Sequence, residues 1–240
     1  MHAVGFVIGV PEDQLDSVLE RYLEDYKDEE SYYIFWEDND EYETWDELVK
    51  NHPEVKTDDS LYGRVNPYAQ CDYYSIGGRW GNYFLLKDGS RSSSTTIGQI
   101  DFDQMEQNAK ELATRRYNIA LEAIGGDKNF KTLAQYEKEY EDWSIAREKW
   151  ASQKQVKDWN EWRRNNDKDY SFFDFSIDRL QEPLYRYQDE VVSNKMVPVA
   201  VIKDWSWDEL PSDARSALSW LKKFKQLPPD TEVSMIDYHI

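Results

Sequence analysis

Strand-forming sequence lies at both ends of this chain and helix-forming sequence lies between them, so one sheet can form only if the two ends meet. Residues 2–10, HAVGFVIGV, put His2, Val4, Phe6, Ile8 and Val10 on one face and the smaller Ala3, Gly5 and Gly9 on the other. The chain closes in kind: Val197-Pro-Val-Ala-Val-Ile202, a helix over 212–225, a turn at Pro228-Pro229, then Val233-Ser-Met-Ile-Asp-Tyr-His-Ile240. After the first strand, Pro11 suits the opening position of a helix over 12–28, with acids in the first turn where the helix dipole favours them. Ser31-Tyr-Tyr-Ile-Phe-Trp36 reads as a second strand, and 41–51 as a short helix closed by His52-Pro53. The expected fold is α+β: a ferredoxin-like antiparallel sheet formed by N- and C-terminal β-α-β units, with an inserted helical region. Its parts would be 1–100, an acidic α/β half, 101–192, the helical insertion, and 193–240, which completes the sheet. Separate α/β and all-α domains are the alternative.

Between the ends, 54–70 reads as a polar surface loop and 87–96 as an exposed Gly/Ser/Thr-rich loop, flanking strands over 73–80 and 81–86 that bend at Gly77-Gly78. From Asp101, Met105, Ala109, Leu112, Ala113, Tyr117, Ala120, Leu121 and Ile124 trace one helical stripe that stops at Gly125-Gly126. Thr132 with Gln135 opens a second helix running to Trp150, antiparallel to the first. Residues 154–190 keep helix-favouring charge and aromatics (Trp159, Trp162, Tyr170, Phe172, Phe173, Phe175) without a clean period. No internal repeat is evident.

A chain of 240 residues with 40% hydrophobic and 15% aromatic content can bury a core despite 32% charged residues and a net charge of −19, which argues against disorder. No run approaches the roughly 20 apolar residues of a membrane span, and the start lacks the basic region of a signal peptide. Cys71 is the only cysteine, which excludes an internal disulfide and any zinc site using two thiolates. A cytoplasmic location is expected.

The charge is concentrated. Residues 11–60 hold 19 Asp and Glu against four Lys and Arg, a net of −15, while the other 190 residues hold 29 acids against 25 bases. Leu15, Val18, Leu19, Tyr22, Leu23 and Tyr26 recur at helical steps among these acids, Glu29 included, so the carboxylates fall on the wet face of a folded element rather than in a disordered tail. Such an array repels phosphate backbones and disfavours direct nucleic-acid binding. Its natural counterpart is a protein with a basic surface. Glu20, Glu24, Asp28, Glu30, Asp38 and Glu41 are the candidate contact residues. The bland alternative is a solvated face that aids solubility.

Two other places could carry chemistry. At Tyr73-Tyr74-Ser75-Ile76-Gly77-Gly78-Arg79-Trp80, two glycines admit close backbone approach and Arg79 offers a planar fork for carboxylate or phosphate, so Tyr74, Gly77, Gly78, Arg79 and Trp80 form a candidate anion site. A tight aromatic turn is the structural alternative. Asp237 and His239 share a face of the last strand, and His2 would neighbour them if first and last strands pair, which offers a hydrolase or metal-dependent site; a hydrogen-bonded sheet end is the plainer reading. No phosphate loop or dinucleotide fingerprint is present, and no cofactor is implied.

The motif 74–81, Tyr-Ser-Ile-Gly-Gly-Arg-Trp-Gly, together with the ending 227–240, Leu-Pro-Pro-Asp-Thr-Glu-Val-Ser-Met-Ile-Asp-Tyr-His-Ile, resembles an uncharacterised family of small bacteriophage proteins. Tyr73 stands where that family commonly has Trp, and Tyr238 where its Asp-Cys-His ending has Cys. The resemblance implies a phage origin and the cytoplasm of an infected bacterium, with no activity attached. The leading expectation is a non-enzymatic phage protein that binds and inhibits a host antiviral-defence protein by occupying a basic nucleic-acid-binding surface. Sequestration of a nucleotide or other anionic ligand near Arg79 is the alternative, and an enzyme using Asp237 and His239 the second alternative.

Overall fold

The computed structural model of the chain describes residues 2–28, 30–168, 172 and 175–239. Glu29, Tyr170, Phe173 and Ile240, named above, lie outside the described residues. The chain forms two compact units, one of residues 1–101, 198–211 and 224–240, the other of 102–197 and 212–223.

In the first unit the ends do meet. Strand β1 (His2–Ile8) lies antiparallel to the last strand in a register running from His2 opposite His239 to Ile8 opposite Val233. Strands β2 (Tyr32–Phe35), β3 (Asp40–Tyr42) and β4 (Tyr62–Val65) form a separate three-stranded sheet in the order β3-β2-β4. Then come β5 (Tyr73–Ile76), the short hairpin β6 (Phe84–Leu85) and β7 (Arg91–Ser92), β8 (Ser94–Thr96), β9 (Ala200–Lys203), β10 (Ser206–Glu209) and β11 (Glu232–His239). The main sheet runs β10-β9-β1-β11-β5, with β8 also paired to β11.

This fold is α+β, but the sheet is mixed rather than antiparallel. β1 and β9 run parallel, the direction a long crossover connection allows, and β10, β5 and β8 add strands that the two β-α-β units alone do not supply. One face of the sheet, carrying Val7, Ala200, Ile202, Ile236 and Tyr238, packs on Leu15, Val18, Leu19 and Tyr22. On the other face Phe6 meets Phe84 and Phe224 at ring separations of 5.2 and 5.5 Å. The small sheet is covered by helix α2 (Trp45–Asn51), capped by Thr44, over a core of Phe35, Leu48 and Val55.

The helix expected over 12–28 is not continuous. A 3₁₀ turn (Glu12–Gln14), helix α1 (Leu15–Leu19) and a second 3₁₀ turn (Glu20–Tyr22) bury the expected Leu15, Val18, Leu19 and Tyr22. The backbone then turns extended at Leu23. The Tyr22 carbonyl accepts from the N–H groups of Gln70 and Cys71, and the Asn66 side chain donates to the carbonyls of Arg21 and Leu23, so the acceptors of a longer helix are spent on another segment. Like charges at Asp16, Glu20 and Glu24, spaced four apart, disfavour extension as well. The 54–70 segment is likewise not a plain loop, since its Tyr62–Val65 pairs with β2.

The second unit is helical: α3 (Phe102–Ala123), α4 (Leu133–Glu139), α5 (Trp143–Ser152), α6 (Lys154–Asn166), α7 (Leu184–Met196) and, through Lys223, α8 (Ala214–Phe224). The capping box at Thr132 and Gln135 forms, and Gly125 and Gly126 take positive φ after α3. The single helix expected from Thr132 to Trp150 divides, because Asp142 accepts from the N–H groups of Ser144 and Ile145 and starts a new helix. Trp159, Trp162, Phe172 and Phe175 pack on one another in this unit.

The bend before Trp80 depends on missing side chains. A Cβ on Gly78, at φ +45°, would lie 2.4 Å from Asp237 Cβ, whereas one on Gly125, at φ +66°, would meet nothing within 4 Å. Gly78→Ala should therefore lower stability by about 3 kcal/mol or more, and Gly125→Ala by only ~1–2 kcal/mol, in urea denaturation. Equal effects would show that the approach of Asp237 is not what demands glycine.

Candidate functional site

The two chemistry-bearing motifs, far apart in sequence, are neighbours. In the β5–β11 register Asp237 lies opposite Ser75 and His239 opposite Tyr73, while β1 brings His2 opposite His239 from the other side. Asp237 is buried, and both its oxygens are used: Oδ1 accepts from His2 Nδ1 at 2.9 Å and Oδ2 from the Arg79 backbone N–H at 3.0 Å. A carboxylate only accepts, so the proton of His2 sits on Nδ1, and Nε2 is left to accept from the Tyr73 hydroxyl at 3.0 Å. Beside this chain His239 Nδ1 donates to Asp72 Oδ2 at 2.8 Å, and the His239 ring stacks on that of Tyr73 at 5.3 Å. The two imidazole centroids are 4.9 Å apart.

Burial pushes the Asp237 carboxyl up. The Arg79 N–H, the His2 hydrogen bond and the charge of Arg79 outweigh that and hold it below the ordinary carboxylate range. His239 holds Asp72 low in the same direction. Asp237 thus pairs with His2, and His239 with Asp72. Asp72 and Tyr73 have no spacing signal in the sequence, because their roles come from strand pairing alone. Among the described residues no group of three or more His, Cys, Asp and Glu is placed to hold a metal ion.

At the bend, Gly77 takes φ +75° and Gly78 φ +45°. The space at Gly78 is filled by Asp237, which also takes the Arg79 N–H, and that at Gly77 by the Ser93 side chain. The Arg79 side chain is exposed and Trp80 half-buried. Tyr74 donates to Asp16 Oδ1 at 2.8 Å, and burial together with that carboxylate pushes its phenol up. Cys71 is buried and its thiol is pushed up to about 11, first by burial and then by Asp72 and Glu24, so it is a poor nucleophile.

The acidic residues sit on the first unit's surface. Glu20, Glu24, Glu30, Asp38 and Glu41 are exposed and Asp28 is half-buried. Glu30 pairs with Arg21 at 3.1 Å, and Asp28 is occupied in its own turn by the Ser31 hydroxyl and the Glu30 N–H. Glu20, Glu24, Asp38 and Glu41 have no ion pair among the described residues. Trp36, at the end of β2 just before Glu37 and Asp38, is 50% exposed, and its indole lies so close over Gly63 that a Cβ there would meet Cζ2 at 2.3 Å. That exposed ring has no periodicity to betray it. No protein-family model, curated protein or solved structure matches the chain.

Asp237 lies low in the folded chain and near about 3.9 when unfolded, so its contribution to stability is complete above about pH 4 and is lost as pH falls through its folded value. An amide at 237 cannot accept from both partners, so Asp237→Asn should be less stable by ~1–3 kcal/mol at neutral pH. The gap to wild type should close below about pH 4. Urea midpoints across that range check this, and a gap independent of pH would show that Asp237 is not held as a carboxylate.

Proposed function

We propose that the chain is a binding protein that docks its acidic face on a basic protein surface. The observation that carries this is the placement of Glu20 in the second 3₁₀ turn, Glu41 in β3 and Glu24 and Asp38 in the turns that follow Tyr22 and β2, all exposed and unpaired among the described residues, within a stretch of net charge −15. Charges neutralised from within would have nothing left to offer a partner. These are held outward, where they speed encounter with a cationic surface and set orientation.

Two exposed tryptophans supply what charge alone does not. Trp36 rises beside the acidic β2–β3 turn. Trp205, 59% exposed, borders an open hollow of about 450 Å³ lined also by Ser17, Arg21, Tyr26, Asp28 and Glu30. An aromatic wall beside carboxylates suits a lysine or arginine side chain, and tryptophan is a frequent anchor of interfaces.

The finer reading rests on the resemblance at 74–81 and 227–240 to bacteriophage proteins. On that reading the partner is a host antiviral-defence protein in the bacterial cytoplasm, and the acidic face occupies the groove in which that protein binds nucleic acid. No membrane is involved in this role; among the described residues no helix is long and apolar enough to cross one.

The test is affinity purification from bacterial lysate with mass spectrometry, run beside a variant carrying Glu20→Gln, Glu24→Gln, Asp38→Asn and Glu41→Gln. Wild type should recover a defined basic, nucleic-acid-binding protein at low salt, and lose it near about 0.5 M salt, where screening shortens to ~4 Å. The variant should lose it at every salt concentration while melting no lower than wild type, since like charges have been removed. A partner that the variant retains, or that is not basic, would refute the reading.

A further inference from the structure

We propose that Asp237, His2 and Tyr73 form a nucleophile-activating relay, with Tyr73 a reactive phenol that accepts an acyl group from an uncharged aryl ester or thioester. The geometry has the parts such a site needs in the right order. A buried carboxylate fixes an imidazole through Nδ1 at 2.9 Å, and the opposite ring nitrogen faces a hydroxyl at 3.0 Å.

Structural need accounts for only half of this arrangement. Asp237 is 4% exposed and must be satisfied, which explains His2 Nδ1 and the Arg79 N–H. Nothing about burial requires His2 Nε2 to be aimed at Tyr73, whose residue is 44% exposed and whose hydroxyl water could serve. The second dyad adds positioning: His239, oriented by Asp72, lies flat against the Tyr73 ring at an interplanar angle of 11° and limits its rotation.

The donor class follows from acidity. Phenol, at about 10, keeps an acyl group only when the departing group is no more basic than itself; aryl oxides and thiolates, the latter near about 8.5, meet this and alkoxides do not. In the first step Tyr73 Oη bonds to the carbonyl carbon as its proton passes to His2 Nε2. The bond to the leaving group breaks, and that group departs with the electron pair and takes the proton from His2. Water then attacks the acyl-tyrosine with His2 accepting its proton, which releases the carboxylic acid and restores the phenol. The neighbouring carboxylates Asp72 and Asp237 make an anionic donor unfavourable, and Arg79 is the cation whose charge acts on Asp237.

The molecule carries its own controls. Treated with p-nitrophenyl acetate and mapped by peptide mass spectrometry, Tyr73 should acetylate at least about tenfold faster than Tyr185, which is more exposed at 58%. His2→Gln and Asp237→Asn should bring Tyr73 down to the Tyr185 rate, and Tyr73→Phe should abolish the initial release of p-nitrophenolate. Buried Tyr22, Tyr117 and Tyr187 report unfolding in each variant, and where one unfolds the comparison of Tyr73 with Tyr185 in wild type decides. Equal rates for those two, or an unchanged Tyr73 rate in folded His2→Gln, overturns the proposal.

Discussion

Every site described above depends on the pairing of β1 with β11. The last strand is buried along almost its whole length and is bonded on one side to β1 and on the other to β5 and β8. Removing it would unpair His2 from Asp237 and detach the Tyr73–Trp80 motif. It would also strip the α1 segment of Ile236 and Tyr238, on which it packs. Contacts between residues so far apart in sequence are entropically costly to close, and burial of Val233, Met235 and Ile236 offsets that cost at roughly 1.5–3 kcal/mol per side chain.

What could be read from sequence was what repeats locally. The alternation of 2–10, the stripe from Met105 to Ile124, the glycine stop at 125–126 and the capping box at Thr132 each express a period or a cap, and each appears in the structure. The broken helix after Tyr22 was not legible, because the groups that end it, Asn66, Gln70 and Cys71, lie more than 40 residues on. The parallel β1–β9 pair was hidden for the same reason. At the candidate sites the residue types were visible and the pairings were not. Asp237 and His239 attract attention as neighbours on one strand, yet each bonds to a group from another strand or its edge, His2 and Asp72. The glycines of the bend read equally as a ligand cradle; here Gly78 admits an internal carboxylate and Gly77 the Ser93 side chain.

The acidic face and the relay belong to the same unit and place different demands on it. The relay needs a few atoms held to within hydrogen-bonding distance, which the central strands supply. The acidic face needs only that its charges be held outward in a stable arrangement, and short elements suffice: α1, α2 and a three-stranded sheet closed over Phe35, Leu48 and Val55. A small core of this kind is the weaker of the two supports, since few side chains are buried in it.

The claim that carries the functional account is therefore that residues 12–65 are folded and present a fixed array of carboxylates. Amide hydrogen exchange on the free protein tests it directly. The account predicts slow exchange for β2, α2 and the Leu15–Leu19 helix, approaching though not reaching that of β11. Exchange of the whole 12–65 stretch at the rate of an unstructured chain, beside a protected β11, would contradict it.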